Sequence, residues 1–108
     1  MSAGPPFQVI WRRALLQSVK LTDNAKVVGV LMSEFMNAEG LTWLGVPETA
    51  RKTGRCPSAV QKARQALKAA GFIVAVPPNE ASRIEPWQKL PKDKKTAMFL
   101  LEIPAPRT

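Results

Sequence analysis

The chain contains no histidine and a single cysteine, Cys56. Without an imidazole there is no partner to activate a serine or cysteine nucleophile, and no His/Cys set to hold zinc. One cysteine also rules out an internal disulfide, so the fold must rest on packing alone, and a reducing cytoplasm is the natural setting. No apolar run approaches the roughly 20 residues needed to span a bilayer, and the N-terminus lacks a basic segment followed by an apolar signal core. A soluble, unprocessed, cytoplasmic protein is expected. No pair of carboxylates, glycine-rich phosphate loop or nucleophile–base pair stands out, which argues against an enzyme and leaves no cofactor implied.

What remains is 108 residues, enough for one domain with a core and too few for two. The formal charge of +8 is unevenly placed. Acidic and basic side chains balance from Met1 to Ala50, so all of the excess positive charge falls after residue 50. Basic surfaces also keep proteins soluble, but this segregation favours a polyanionic partner.

The stretch from Val46 to Val76 organises the rest. It reads as a short helix ending at Thr53, a tight turn containing Gly54, a longer helix from Pro57 to Ala70, and a strand. Gly54 lies where the chain must turn sharply between helices, and a residue without Cβ accepts the left-handed conformation such turns use. Pro57 suits a first-turn position, where its missing N–H costs nothing. Val60, Ala63, Leu67 and Ala70 form one apolar stripe at helical period. Ser58, Gln61, Lys62, Gln65 and Lys68 lie on the other side, and none is acidic. Lysine attracts phosphate, and glutamine can make a paired hydrogen bond to adenine in the major groove. Gly71 then ends the helix before a β-branched run.

These residues resemble the winged helix-turn-helix domains of bacterial GntR-type and MarR-type regulators and of plasmid and phage replication or control proteins. Trp43, Val46, Ala50, Gly54, Val60, Leu67, Gly71 and Ile73 match that pattern, and the likeness covers roughly residues 21–103. It implies a mostly α fold with a small antiparallel β-hairpin, with the helix-turn-helix at 46–70 and the wing at 71–103. Two positions depart from it. Thr49 stands where the first motif helix usually has leucine, and Arg64 where the second usually has a large apolar residue, so Arg64 would bury its stem and send its charged head to solvent.

Elsewhere, residues 1–6 read as a flexible lead before a domain spanning 7–104. Phe7, Ile10, Trp11, Ala14, Leu15 and Ser18 share one face of an amphipathic helix of about a dozen residues. It packs either on its own domain or on a second copy in a homodimer. Leu21-Thr22-Asp23 offers a cap to a second helix, whose apolar face is expected to comprise Val27, Val28, Leu31, Met32, Phe35 and Met36. Asn37 to Gly40 forms a polar loop, and Leu41 to Leu44 a brief extended stretch with Trp43 in the core. After Val76, Pro77 and Pro78 stop the strand, and the return strand lies within Thr96 to Ile103. The tip between them is long and lysine-rich, a functional or mobile connection. Trp87 within it could anchor the loop, stack on a partner or stay exposed.

The expected partner is double-stranded DNA. The 57–70 helix would enter the major groove with Ser58, Gln61, Lys62, Gln65 and Lys68 toward bases or nearby phosphates. Arg51, Lys52 and Arg55 would fix the backbone register, and Arg83, Lys89, Lys92, Lys94 and Lys95 of the wing would meet phosphate or the adjacent minor groove. A small transcriptional repressor or a plasmid or phage control protein fits this chemistry. The alternatives are a winged-helix module that binds protein, and a DNA-binding component of a replication initiator assembly.

Overall fold

The computed structural model describes residues 6–85, 87–91 and 96–104. The expected flexible lead falls mostly outside them, as do Lys92, Lys94 and Lys95. The chain is mostly helical with a small antiparallel sheet. Five helices, α1 (Phe7–Gln17), α2 (Asp23–Glu34), α3 (Val46–Thr53), α4 (Pro57–Ala69) and α5 (Pro78–Ala81), accompany strands β1 (Leu41–Thr42), β2 (Ile73–Val76) and β3 (Met98–Leu101). The expected two-stranded hairpin gains β1 as a third strand, giving the order β1-β3-β2 with both pairings antiparallel. Leu41 pairs with Leu100, and Ile73 with Leu101. No helix among the described residues is long and apolar enough to cross a membrane.

Local chemistry accounts for most element ends. Thr22 caps α2, its hydroxyl accepting the Ala25 N–H at 3.2 Å. The Asn37 side chain accepts the N–H groups of Glu39 and Leu41, turning the chain into β1. At the end of α4, the Phe72 N–H donates to Leu67 O and the Gly71 N–H to Lys68 O, with Gly71 at φ 85°. This pair of reversed bonds around a left-handed residue satisfies the last carbonyls and launches β2.

Helix α1 belongs to its own domain. Trp11 and Leu15 are fully buried, and the Trp11 indole N–H is shared between the carbonyls of Phe72 and Glu102 at 3.1 and 2.9 Å. Its ring meets Phe72 edge-on at 6.0 Å. Phe7 and Ile10, expected on the same buried face, stay about two-fifths exposed.

The face of α2 is rotated from expectation. Ala25, Val28, Gly29, Met32 and Ser33 point inward, whereas Val27 and Phe35 are exposed. A Cβ on Gly29 would lie 2.8 Å from a Leu15 methyl, so the absent side chain lets α1 approach. Small residues carry little hydrophobic signal, yet here they mark the contact between helices.

The connection from Pro77 to Ala97 is folded where described, which corrects the expectation of a bare tip. Pro78 opens α5, and a short 3-10 turn follows at Trp87–Lys89. Ala81, Trp87 and Met98 make a second buried cluster, against which Leu41, Trp43 and Val76 pack. The Trp87 indole donates to Thr96 O at 2.9 Å. Of the three roles open to Trp87, it anchors the loop. Trp43 is partly buried and packs against this second cluster.

Candidate nucleic-acid interface

Positioning of α4 begins in α3. Thr49 is completely buried, but its hydroxyl donates to Gly45 O at 2.8 Å within the helix. That bond removes the cost of placing a hydroxyl where leucine is usual. Gly54 follows at φ 72°, and the space a Cβ would take there is open, with nothing within 4 Å. Glycine therefore serves the backbone angle at this turn and not a lack of room. Cys56 then occupies the cap and Pro57 the first turn of α4.

The inner side of α4 carries Val60, Ala63 and Leu67, all buried. Arg64 joins them, with 8% of its surface exposed, so its head does not escape to solvent as expected. Its Nη2 donates to Leu44 O, and the guanidinium lies 5.2 Å over the Phe99 ring. Burial pulls its pKa below the ordinary arginine value. Its Nε has no acceptor among the described residues. Arg64 thus ties α4 to the segment before α3 and to the central strand, and is removed from the set of cations open to a partner.

The outer side presents Ser58, Gln61, Lys62, Gln65 and Lys68, every one exposed. Among the described residues no ion pair engages either lysine. Three consecutive turns of one rigid helix therefore display amides and ammonium groups with no carboxylate between them.

The flanking cations differ from one another. Arg51 is paired with Glu48 three residues earlier, at 2.5 Å, an exposed contact whose net worth is small. Lys52 sits 5.1 Å from the ring centroid of Phe35, the residue that caps the C-terminal end of α2. Arg55 stands exposed in the turn. Beside it the exposed Cys56 sulfur lies 3.3 Å from the Ser58 hydroxyl. Hydrogen bonds from Ser58 and then from the Ala59 backbone lower the thiol pKa.

On the connection, Arg83 is exposed, and Lys89 lies 3.7 Å from Glu85 with both side chains mostly in water. The expected cationic wing is therefore interleaved with acid in its described part. The sequence signal for the Arg51 and Lys89 pairs was present, since Glu48 and Glu85 lie one helical turn before them. No family model, curated protein or solved structure matches the chain.

Proposed function

We propose that the chain is a DNA-binding protein of the winged helix-turn-helix class, which reads duplex DNA by placing α4 in the major groove. The order α2, β1, α3, α4, β2, β3 with β3 central supports that class. Within it, the chemistry fits a small transcriptional regulator or a plasmid or phage control protein, or the DNA-binding component of a replication initiator assembly. The observation that carries the proposal is the outer face of α4. Gln61, Lys62 and Gln65 span successive turns, are exposed, and have no acidic neighbour on that face. Amides there can pair with base edges, and Lys62 and Lys68 can meet guanine or phosphate. Arg55 and Ser58, at the N-terminal end of the helix, are placed for backbone phosphates, which the helix dipole also favours. A protein-binding use of the same fold has less reason to keep this face free of acid.

Selection of bound sequences from random duplex DNA tests the proposal. Enrichment of a defined site is expected. Binding with no sequence preference, or none at low salt, would contradict it.

A further inference from the structure

Among the described residues, four polar side chains are buried: Ser33, Thr42, Thr49 and Arg64. Two of them are satisfied within their own helices. The Ser33 hydroxyl donates to Val30 O at 2.6 Å and the Thr49 hydroxyl to Gly45 O at 2.8 Å, each a carbonyl about one turn earlier. Thr42 has no such neighbour. It lies in β1, where side chains stand off the sheet while the carbonyls lie along its ladder. It is 1% exposed, and its Oγ1 has no hydrogen-bond partner among the described residues. A buried hydroxyl in that state is costly.

The Nε of Arg64 is likewise buried and without an acceptor. Both atoms belong to side chains that border Phe99. Thr42 stands directly opposite Phe99 in the pairing of β1 with β3, so the two side chains project from the same face of the sheet. That face meets α4, since Phe99 packs in the main core with Val60, Ala63 and Leu67. Arg64 comes onto it from α4, with its guanidinium 5.2 Å over the Phe99 ring and its Nη2 donating to Leu44 O, two residues beyond Thr42.

The two groups are chemically matched. A guanidinium can only donate, whereas a hydroxyl can also accept. They make no direct hydrogen bond, and a single water between them would accept from Nε and donate to Oγ1. We infer that a buried water bridges Arg64 Nε and Thr42 Oγ1, between α4 and the sheet. The bridge gives Arg64 a third tie, to β1, beside those to Leu44 O and to the Phe99 ring of β3. It accounts for a threonine and an arginine facing each other inside an otherwise apolar core. The inference stands apart from the DNA reading, and its test needs no DNA.

Thr42→Val exchanges the hydroxyl for a methyl group of similar size in a strand that suits either residue. With the bridge present, valine removes one of the water's two partners, and the folding equilibrium constant of the full chain should fall about tenfold in urea unfolding. Without the bridge, valine removes a stranded hydroxyl and should leave stability unchanged or raise it. The sign of the change therefore decides. Arg64→Met keeps a long stem and removes the guanidinium, and in that background Thr42→Val should no longer destabilise.

A crystal structure of the full chain gives a second reading, which holds even if Arg64→Met does not fold. One ordered water within hydrogen-bond distance of both atoms is expected. A Thr42→Val variant as stable as the parent or more so, a Thr42 hydroxyl bonded directly to Nε, or no water at that position would overturn the bridge. Unfolding in chloride and in fluoride at equal ionic strength separates water from an anion. Equal stability in the two is expected, and stability that follows chloride would place an anion there and overturn the water.

Discussion

The outer face of α4 and the connection between β2 and β3 are both basic segments, yet they present their charge in different ways. The connection holds five cations, Arg83, Lys89, Lys92, Lys94 and Lys95, interleaved with Glu80, Glu85 and Asp93. The face of α4 holds fewer, but they alternate with amides on a rigid helix whose other side is locked into the core. For reading DNA the arrangement matters more than the count. Point charges attract phosphate whatever the sequence, whereas a specific base contact needs a donor or acceptor held in place. On the proposed DNA reading, specificity would fall to α4 and general affinity to the connection.

The two regions also stand on separate cores, and truncation in each should separate them. Trp87→Ala removes the centre of the second cluster and should cost about 3 to 5 kcal/mol. Leu67→Ala, in the main core under α4, should cost about 2 to 5 kcal/mol. The comparison is sharpened by pairing thermal melting with DNA competition at a temperature where both variants are folded. Trp87→Ala should keep its preference for a selected site, because α4 is untouched, while Leu67→Ala should lose part of it. Equal loss of preference in both would show that the regions do not act separately.

A smaller effect is expected from the lysines of the connection. Changing Lys89, Lys92, Lys94 and Lys95 to alanine should weaken binding to selected and random duplexes by similar factors. It should also flatten the salt dependence by up to about 0.9 unit of slope for each phosphate that is no longer neutralised. Because Lys89 is already near Glu85, its share should be the least. Weakening confined to the selected site would reverse the assignment.

The smallest effect concerns Cys56, beside the α4 face. Its thiolate is favoured by the Ser58 hydroxyl, so its alkylation rate should rise at a lower pH than that of an unperturbed thiol. Ser58→Ala should move that rise back to higher pH. Cys56→Ser should bind DNA as the parent does, before and after peroxide. A peroxide response that vanishes in Cys56→Ser would instead make the thiol a switch on this face.

Much of α3, its turn and α4 was legible because glycine and proline impose local backbone requirements. Gly54 and Gly71 both lie at positive φ, and Pro57 opens α4. The outward set on α4 followed from helical period once Val60, Ala63 and Leu67 were placed inside. What escaped depended on residues distant in sequence. Arg64 is buried because Leu44 O and the Phe99 ring receive it, 20 and 35 positions away. The rotation of α2 was hidden by Gly29 and Ala25, whose value lies in what they let approach. The fold of the connection depends on Trp87 meeting Ala81, Met98 and the strands, a convergence that no local pattern announces.

The central claim is that α4 reads DNA, and competition between selected and random duplexes with Gln61→Ala and Lys62→Ala tests it most directly. Both side chains are exposed and away from the core, so melting should be unchanged. Each variant should lose roughly 1 to 3 kcal/mol of discrimination for the selected site if its base contact is a good one, with binding to random DNA far less affected by Gln61→Ala. If both variants keep the parent's full site preference, α4 is not the reading element.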